Sequence, residues 1–331
     1  MSERLLEVKD LSIEIATRRG PATIVDGIDL HVDKGETLGI VGESGCGKSL
    51  TMLSLVRLLP NKIRVSNGTA AFAGRDLLQL SSRELREVRG GKIGFVFQDP
   101  MTSLNPVMKI GEQLIEPLLY HREMSKAEAR KRAGELLRLV GIPGAEQRLD
   151  SYPHELSGGM RQRVMIAIGL ACEPELLIAD EPTTALHVTI QAQIVDLVKD
   201  LRKRLGMSVV WITHDLALIA GLADRICVLY AGTVVEDAPV EQLFAEPAHP
   251  YTRGLLASIP RMDGEDAERL NSIGGTPPEP GRRPAGCPFA PRCPMAQEIC
   301  RTTVPELQPL RGETTPHRVA CHVANRVLEA A

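Results

Sequence analysis

The first forty residues alternate between hydrophobic and polar positions. The alternation is clearest at residues 8–15 and 28–32, and the chain then turns at residues 33–35. A period of two is typical of strands that bury one face. The pattern therefore predicts a β-rich subdomain of antiparallel strands, which leads into a buried strand at residues 37–41.

Farther along the chain, hydrophobic runs that indicate buried strands alternate with segments of helical periodicity. The predicted strands are residues 92–97, 175–180 and 208–213. The predicted helices are residues 50–59, 110–119, 126–140, 161–172 and 190–205. Strands that alternate with helices form parallel sheets, and functional residues of such sheets follow the carboxyl ends of strands. We therefore expect an α/β fold with a helical insert at residues 99–153.

A glycine-rich sequence lies between the first predicted buried strand and the first predicted helix. It fits the pattern G-x4-G-K-S/T at every fixed position. The glycines let backbone N–H groups approach an anion, the lysine adds a positive charge, and the serine hydroxyl can bind Mg2+. The pattern indicates that ATP or GTP is bound by Gly42, Glu43, Ser44, Gly45, Cys46, Gly47, Lys48 and Ser49.

Two further segments have the chemistry of phosphate or metal ligands. Gly158 and Gly159 open a predicted helix, whose N-terminus can bind an anion. Asp180 and Glu181 end a predicted strand, where Asp180 can hold Mg2+ and Glu181 can polarise a water molecule. Two more polar residues follow predicted strands in the same way, Gln98 and His214.

Length and charge restrict the classes of protein to consider. The 331 residues exceed one typical core and predict a large domain plus a smaller one. The net charge is −3, and the basic clusters at residues 128–132 and 202–204 lie on predicted helices, so no nucleic acid partner is expected. The longest uncharged apolar run, residues 164–172, is too short to span a bilayer. We expect a cytosolic chain that partners dock at a membrane.

Four of the seven cysteines crowd into the last part of the chain. Cys287, Cys293, Cys300 and Cys321 follow a region rich in proline and glycine with too little apolar surface for a core of its own. Their spacing contains no C-x2-4-C pair typical of zinc sites, and four thiolates on looser loops suit an iron–sulfur cluster. Zinc and unliganded thiols stay open as alternatives.

The motifs together resemble those of ABC-transporter ATPases. The glycine-rich loop, Gln98, residues 156–160, residues 178–181 and His214 match the Walker A, Q-loop, signature, Walker B and H-loop in order and spacing. The longer stretches 152–163 and 177–185, with the cysteine tail, resemble the ATP-binding subunits of bacterial oligopeptide and dipeptide importers.

The resemblance implies a P-loop, RecA-like ABC ATPase core in residues 1–240, with a helical subdomain at about 99–163, and a cysteine-rich extension in residues 241–331. It implies that Glu181 is the general base and that His214 contacts the γ-phosphate. Mg2+ would be held by Ser49, Gln98 and Asp180. Residues implied to bind ATP also include Leu50 and, acting on the nucleotide of a second subunit, Ser157, Gly158, Gly159 and Met160. The implied C-terminal group is a 4Fe-4S cluster.

The implied function is ATP hydrolysis that powers peptide import at the cytoplasmic face of the bacterial inner membrane. The implied partners are a second ABC ATPase subunit, expected to be a paralogue, two transmembrane permeases and an extracytoplasmic peptide-binding protein. Two alternatives stay open, an importer ATPase for another solute such as nickel or a glycoside, and a non-transport ABC ATPase with a redox-sensing iron–sulfur tail. One departure from the family pattern is His187, where the D-loop usually has an aspartate.

Overall fold

The computed structural model describes residues 3–184, 186–259, 273–311 and 316–329. The strands are β1 (Arg4–Thr17), β2 (Gly20–Asp33), β3 (Thr37–Val41), β4 (Ile63–Phe72), β5 (Arg75–Asp76), β6 (Ile93–Val96), β7 (Leu176–Asp180), β8 (Ser208–Thr213), β9 (Arg225–Tyr230), β10 (Thr233–Pro239), β11 (Gln308–Pro309) and β12 (Arg318–Val319).

The helices alternate with these strands through most of the chain. They are α1 (Lys48–Leu55), α2 (Ser82–Val88), α3 (Pro100–Ser103), α4 (Ile110–His121), α5 (Lys126–Leu139), α6 (Ala145–Arg148), α7 (Gly158–Leu170), α8 (Val188–Leu205), α9 (Leu216–Ala220), α10 (Val240–Ala245), α11 (Pro250–Ala257), α12 (Glu298–Thr302) and α13 (Ala324–Glu329). Short 3-10 helices occur at Pro153–Glu155 and Ala290–Arg292.

The chain divides into two compact units. Unit 1 comprises Met1–Glu3, Asp33–Thr37 and Gln79–Ile212. Unit 2 comprises Arg4–Val32, Leu38–Leu78 and Thr213–Ala331. The proposed boundary between residues 240 and 241 follows the family resemblance, and it stays a prediction.

Unit 1 contains a parallel sheet and a group of helices. β7 pairs in parallel with both β6 and β8, with Ile93 beside Leu176 and Leu176 beside Ser208. Every residue of β7 is buried, as expected for a strand covered on both faces. α4, α5 and α7 pack against one another. The helix predicted at residues 126–140 has apolar residues at helical spacing, and the structure buries them as one face: Ala129, Ala133, Leu136, Leu137 and Val140.

Unit 2 contains an antiparallel sheet and the strand that leads into the glycine-rich loop. The strands predicted at residues 8–15 and 28–32 lie within β1 and β2, and β1 pairs antiparallel with β4. β3 pairs in parallel with β9, and β9, β10 and β12 then follow as antiparallel neighbours. The mixed α/β class with an antiparallel sheet is therefore confirmed.

The C-terminal region, meaning the described residues from β10 onward, contains a buried apolar cluster that the sequence does not predict. Ala248, Leu310, Val319 and Ala324 form a buried cluster, against which Cys321 and Leu328 pack. β12 also pairs with β10, so backbone hydrogen bonds join the C-terminal segment to the strand that precedes it. The proline- and glycine-rich stretch before the cysteines supplies only Ala248 to this cluster, and residues distant in sequence supply the rest. Among the described helices, none is long and apolar enough to cross a membrane.

Candidate functional site

The glycine-rich loop follows β3 directly and ends where α1 begins. Gly47 is the N-cap of α1 with φ +99°, a conformation that L side chains rarely adopt. A Cβ atom on Gly42 would lie 2.2 Å from the carbonyl oxygen of Leu229, so only glycine fits against β9. The sequence pattern therefore produces the expected turn from a buried strand into a helix N-terminus, where backbone N–H groups can bind phosphate.

Lys48 lies at the start of α1 and is buried, with 4% of its surface exposed. Its Nζ donates hydrogen bonds to the carbonyl oxygens of Gly42 (2.7 Å) and Glu43 (3.0 Å). Ser49 and Leu50 follow it in the first turn and are half-buried. Burial raises the pKa of the neighbouring Cys46 thiol, which is therefore a neutral small residue inside the loop.

Two residues of the C-terminal region contact the same loop, and sequence reasoning missed both. The backbone N–H of Glu43 donates to the hydroxyl of Tyr251 (2.9 Å), and the Glu43 carboxylate pairs with the guanidinium of Arg292. More than 200 residues separate these partners in sequence, and neither Tyr251 nor Arg292 belongs to a motif of fixed spacing. Ser44 and Gly45, in contrast, are exposed.

In unit 1 the structure brings Gln98 and Glu181 together. Gln98 follows β6 and Glu181 follows the neighbouring parallel strand β7, so both lie at the same edge of the sheet. Gln98 Nε2 and Thr184 Oγ1 donate to Glu181 Oε2, at 3.1 and 3.0 Å. Glu181 has φ +44°, a strained value for a residue with a side chain, and Asp180 beside it is 5% exposed.

The signature residues form the start of α7, also in unit 1. Ser157 is the N-cap of the helix, and its hydroxyl accepts a hydrogen bond from the backbone N–H of Met160 (3.4 Å). Ser157 and Gly158 are exposed, while Gly159 and Met160 are half-buried. An exposed, capped helix N-terminus of this kind can approach a phosphate group.

The remaining motif residues are His214 and the D-loop segment. His214 follows β8, belongs to unit 2 and is exposed. His187 is the N-cap of α8, is exposed, and makes no side-chain hydrogen bond to that helix. Ala185, the first residue of the D-loop segment, lies outside the described residues.

The four C-terminal cysteines are neighbours within unit 2. The backbone N–H of Cys287 donates to the carbonyl oxygen of Cys300 (2.8 Å). Burial, together with the nearby thiols of the other three cysteines, raises the pKa of Cys321 to about 12. Within the described ranges, however, no group of three or more cysteine, histidine or acidic side chains is arranged to hold a metal ion. Thiols are suitable ligands for an iron–sulfur cluster, but the side chains of these four cysteines are not arranged as a metal site.

The other cysteines and the buried tail histidines have structural surroundings. Cys172 and Cys227 stand in apolar runs of the sequence, which predicts small core residues, and both are buried. His249 Nδ1 accepts a hydrogen bond from the backbone N–H of Tyr251 (3.0 Å), and His317 Nε2 contacts Glu236 Oε1 (2.7 Å). Both histidines are therefore occupied by hydrogen bonds within the C-terminal region.

Comparison with known protein families yields two matches. The family model described as "ABC transporter" matches residues 25–184. The model described as "Oligopeptide/dipeptide transporter, C-terminal region" matches residues 235–300. The second match includes Cys287, Cys293 and Cys300, and Cys321 lies after it.

Curated relatives match nearly the whole chain. The oligopeptide transport ATP-binding protein AppD of Bacillus subtilis is 52% identical over 304 residues, which cover 92% of this chain and 92% of AppD. The dipeptide transport ATP-binding protein DppD of the same species is 48% identical and covers 99% of this chain and 97% of DppD. The oligopeptide transport ATP-binding protein OppD of Salmonella typhimurium is 52% identical, covering 91% and 89%.

Solved structures share the fold of a large part of the chain. The dimeric ATP-binding cassette MJ0796, bound to ADP and phosphate, superposes with a TM-score of 0.65 and 31% identity, covering 71% of this chain and 99% of MJ0796. CbiO1 of Clostridium perfringens, part of an ABC transporter complex, gives a TM-score of 0.63 and 28% identity, covering 74% and 92%.

Proposed function

The chain belongs to the ABC transporter family, among the oligopeptide and dipeptide transport ATP-binding proteins, and we propose that it hydrolyses ATP to power peptide import. As a member of this family it is an ATP-hydrolysing transport subunit. The observation that carries the choice of peptide is the match of residues 235–300 to the oligopeptide/dipeptide transporter C-terminal region. That match favours peptides over nickel or a glycoside as the transported solute.

The proposed nucleotide-binding residues are the loop residues Gly42 to Ser49 together with Leu50. Lys48, at the N-terminus of α1, would bind the β- and γ-phosphates in place of the loop carbonyls that it now contacts. Ser49, Gln98 and Asp180 offer hydroxyl, amide and carboxylate oxygens, the ligands that Mg2+ prefers. When bound, Mg2+ neutralises charge on the phosphate groups. His214 is proposed to contact the γ-phosphate.

The proposed general base is Glu181. Its carboxylate would accept a proton from water while the water oxygen attacks the γ-phosphorus and the bond to ADP breaks. Hydrogen bonds from Gln98 and Thr184 to Oε2 fix the orientation of the carboxylate, which supports this assignment. A fixed base needs little rearrangement to meet the water molecule.

The proposed active assembly contains a second ATPase subunit, expected to be a paralogue. Ser157, Gly158, Gly159 and Met160 would contact the nucleotide of that subunit, which the exposure of the α7 N-terminus supports. Two permeases and an extracytoplasmic peptide-binding protein complete the proposed transporter. The chain would then lie at the cytoplasmic face of the bacterial inner membrane.

The experiment that tests the function is affinity purification from membranes of the source bacterium, followed by uptake assays in proteoliposomes. We expect two permeases and a second ATPase to co-purify, and labelled oligopeptide or dipeptide to accumulate only with ATP and the binding protein. A Lys48→Ala chain in the same vesicles is the control for energy coupling. Accumulation of nickel or a glycoside without peptide uptake would contradict the proposal.

The proposed C-terminal group is a 4Fe-4S cluster held by Cys287, Cys293, Cys300 and Cys321, with zinc as the lesser alternative. The support is the set of four neighbouring thiols, three of which lie in the part of the chain that matches the oligopeptide/dipeptide transporter C-terminal region. Metal binding would have to rearrange these side chains and would then add to the stability of the fold around them.

The test of the cluster is elemental analysis of protein purified without oxygen. We expect about four irons per chain. Cys293→Ser should remove the iron, whereas Cys172→Ser, a buried cysteine of unit 1, should leave it unchanged. Stoichiometric zinc in place of iron, or no metal, would contradict the cluster assignment.

A further inference from the structure

The glycine-rich loop is joined to the C-terminal region by an ion pair between a buried arginine and a half-buried glutamate. Arg292 ends the 3-10 helix Ala290–Arg292, and 5% of its side chain is exposed. Its Nη1 and Nη2 donate to Glu43 Oε2 (2.8 Å) and Oε1 (2.9 Å). Two parallel hydrogen bonds between a guanidinium and a carboxylate fix both direction and distance, which a single contact does not.

The surroundings of Arg292 hold the guanidinium in place. It lies over the rings of Tyr230 and Phe289, 5.6 and 5.9 Å from their centroids. Nη1 also donates to the Tyr230 hydroxyl (3.2 Å), Nε to the carbonyl oxygen of Gly274 (2.9 Å), and Nη2 to that of Ile273 (3.2 Å). A buried charge with this many partners has one defined position, so it can position another group.

Glu43 connects this arginine to the phosphate-binding lysine. Its backbone N–H donates to the Tyr251 hydroxyl, and its carbonyl oxygen accepts from Lys48 Nζ. The Glu43 backbone is therefore held on one side by the C-terminal region and contacts Lys48 on the other. A substitution of Arg292 can therefore alter the position of Lys48 through Glu43, which contacts both residues.

The negative charge of the Glu43 carboxylate also disfavours the binding of a nucleotide by the glycine-rich loop. A carboxylate beside a phosphate-binding loop repels a nucleotide polyanion, and a paired arginine offsets that repulsion. We propose that Arg292 is a positioning residue for nucleotide binding, which holds Glu43 so that the loop is ordered and its negative charge is neutralised. The C-terminal region thereby sets the affinity of the loop for ATP and ADP.

The experiment measures the Kd of MgATP and MgADP for the full-length chain by isothermal titration calorimetry. Arg292→Ala should weaken both affinities roughly 2- to 30-fold, the range for residues that act through a neighbour. Arg292→Lys should lose less, because it keeps the charge without the paired hydrogen bonds. Adding Glu43→Gln to Arg292→Ala should recover part of the loss, since the unpaired charge is then removed.

The matched control is Arg318→Ala, which removes another C-terminal arginine in an ion pair. Arg318 pairs with Asp237, which Arg225 also binds, and neither contact involves the glycine-rich loop. This variant should bind nucleotide with wild-type affinity. The proposal is overturned if Arg292→Lys and Arg292→Ala bind nucleotide as wild type does, or if Glu43→Gln recovers none of the lost affinity. If Arg292→Ala does not fold, the affinity of Arg292→Lys decides.

Discussion

At the scale of single residues, Glu181 combines backbone strain with a fixed side chain. A residue with a side chain at φ +44° is in a region that costs about 1–3 kcal/mol, and such strain is often found at functional sites. The sequence places Glu181 at a strand end, but it contains no signal for the positive φ or for the contact with Gln98. The contact depends on the pairing of β6 with β7.

The first prediction is that Glu181→Gln in the assembled transporter lowers ATP turnover on the order of 10^2- to 10^4-fold, the range for a lost general base. MgATP affinity should stay near wild type, because glutamine keeps the shape of the side chain. Steady-state phosphate release and nucleotide titration measure the two quantities. Glu175→Gln, an exposed carboxylate paired with Lys92, is the control and should turn over normally. Normal turnover of Glu181→Gln would remove Glu181 from the role.

The second prediction concerns the buried imidazole of His249. Burial lowers its pKa to about 4, from an ordinary 6.5, although the Glu236 carboxylate acts in the opposite direction. Between pH 6.5 and 4 the unfolded chain therefore binds a proton that the folded chain does not, so stability falls as pH falls. The full loss through this window is up to about 3 kcal/mol.

Urea unfolding at several pH values in this window measures the effect of His249. His249→Asn should remove this part of the pH dependence, because the asparagine oxygen can still accept from the backbone N–H of Tyr251 and does not titrate. His322→Asn, at a half-buried histidine of the same region, should retain the wild-type dependence. Parallel pH curves for wild type and His249→Asn would show that the imidazole is not protonated on unfolding.

At the scale of elements, the length and type of the long segments follow from hydrophobic periodicity, while their packing faces do not follow completely. The sequence predicts that α8 buries Ile190, Ile194, Leu197 and Leu201, and the structure buries Ile194, Val195, Val198 and Leu201. The buried face contains Val195 and Val198 in place of Ile190 and Leu197, so it is rotated relative to the predicted stripe. A single sequence does not determine which of two adjacent apolar stripes a sheet will cover.

Strands that depend on distant partners were harder to predict. β9 is buried throughout, yet it begins with Arg225, whose charge is paired with Asp237 on β10 (2.6 Å). An arginine is expected at a surface unless its partner is known. The apolar cluster of the C-terminal region was missed for the same reason, since Ala248 and Val319 meet only in the folded chain.

The third prediction concerns the start of α8. His187 occupies the N-cap position without a side-chain hydrogen bond to the helix, whereas an aspartate there accepts one from a backbone N–H of the first turn. His187→Asp should therefore stabilise the protein by about 0.5–2 kcal/mol. Thermal or urea unfolding measures the change, and His187→Ala should give no gain. Equal stability of all three chains would show that the exposed cap position contributes nothing here.

At the scale of the whole molecule, the proposed ATPase cycle needs a second subunit. The fourth prediction is that Ser157→Arg, at the exposed N-terminus of α7, leaves MgATP affinity of the isolated chain unchanged but lowers turnover of the assembled transporter on the order of 10^2-fold. The reason is that a large cation at this cap would displace the signature residues from the nucleotide of the partner. The same substitution at Ser82, an exposed residue at the start of α2, controls for the added charge.

The arrangement in which the signature acts on the partner's nucleotide is tested by comparing two dilution series of ATPase activity. The chain alone should be a poor ATPase, and adding the second subunit should raise the activity per chain until the two are equimolar. Ser157→Arg should bind that subunit with wild-type affinity while failing to raise its activity, which separates assembly from catalysis. Full activity from a dilute monomer, or a reduced MgATP affinity of isolated Ser157→Arg, would mean that the signature residues serve the nucleotide of their own chain.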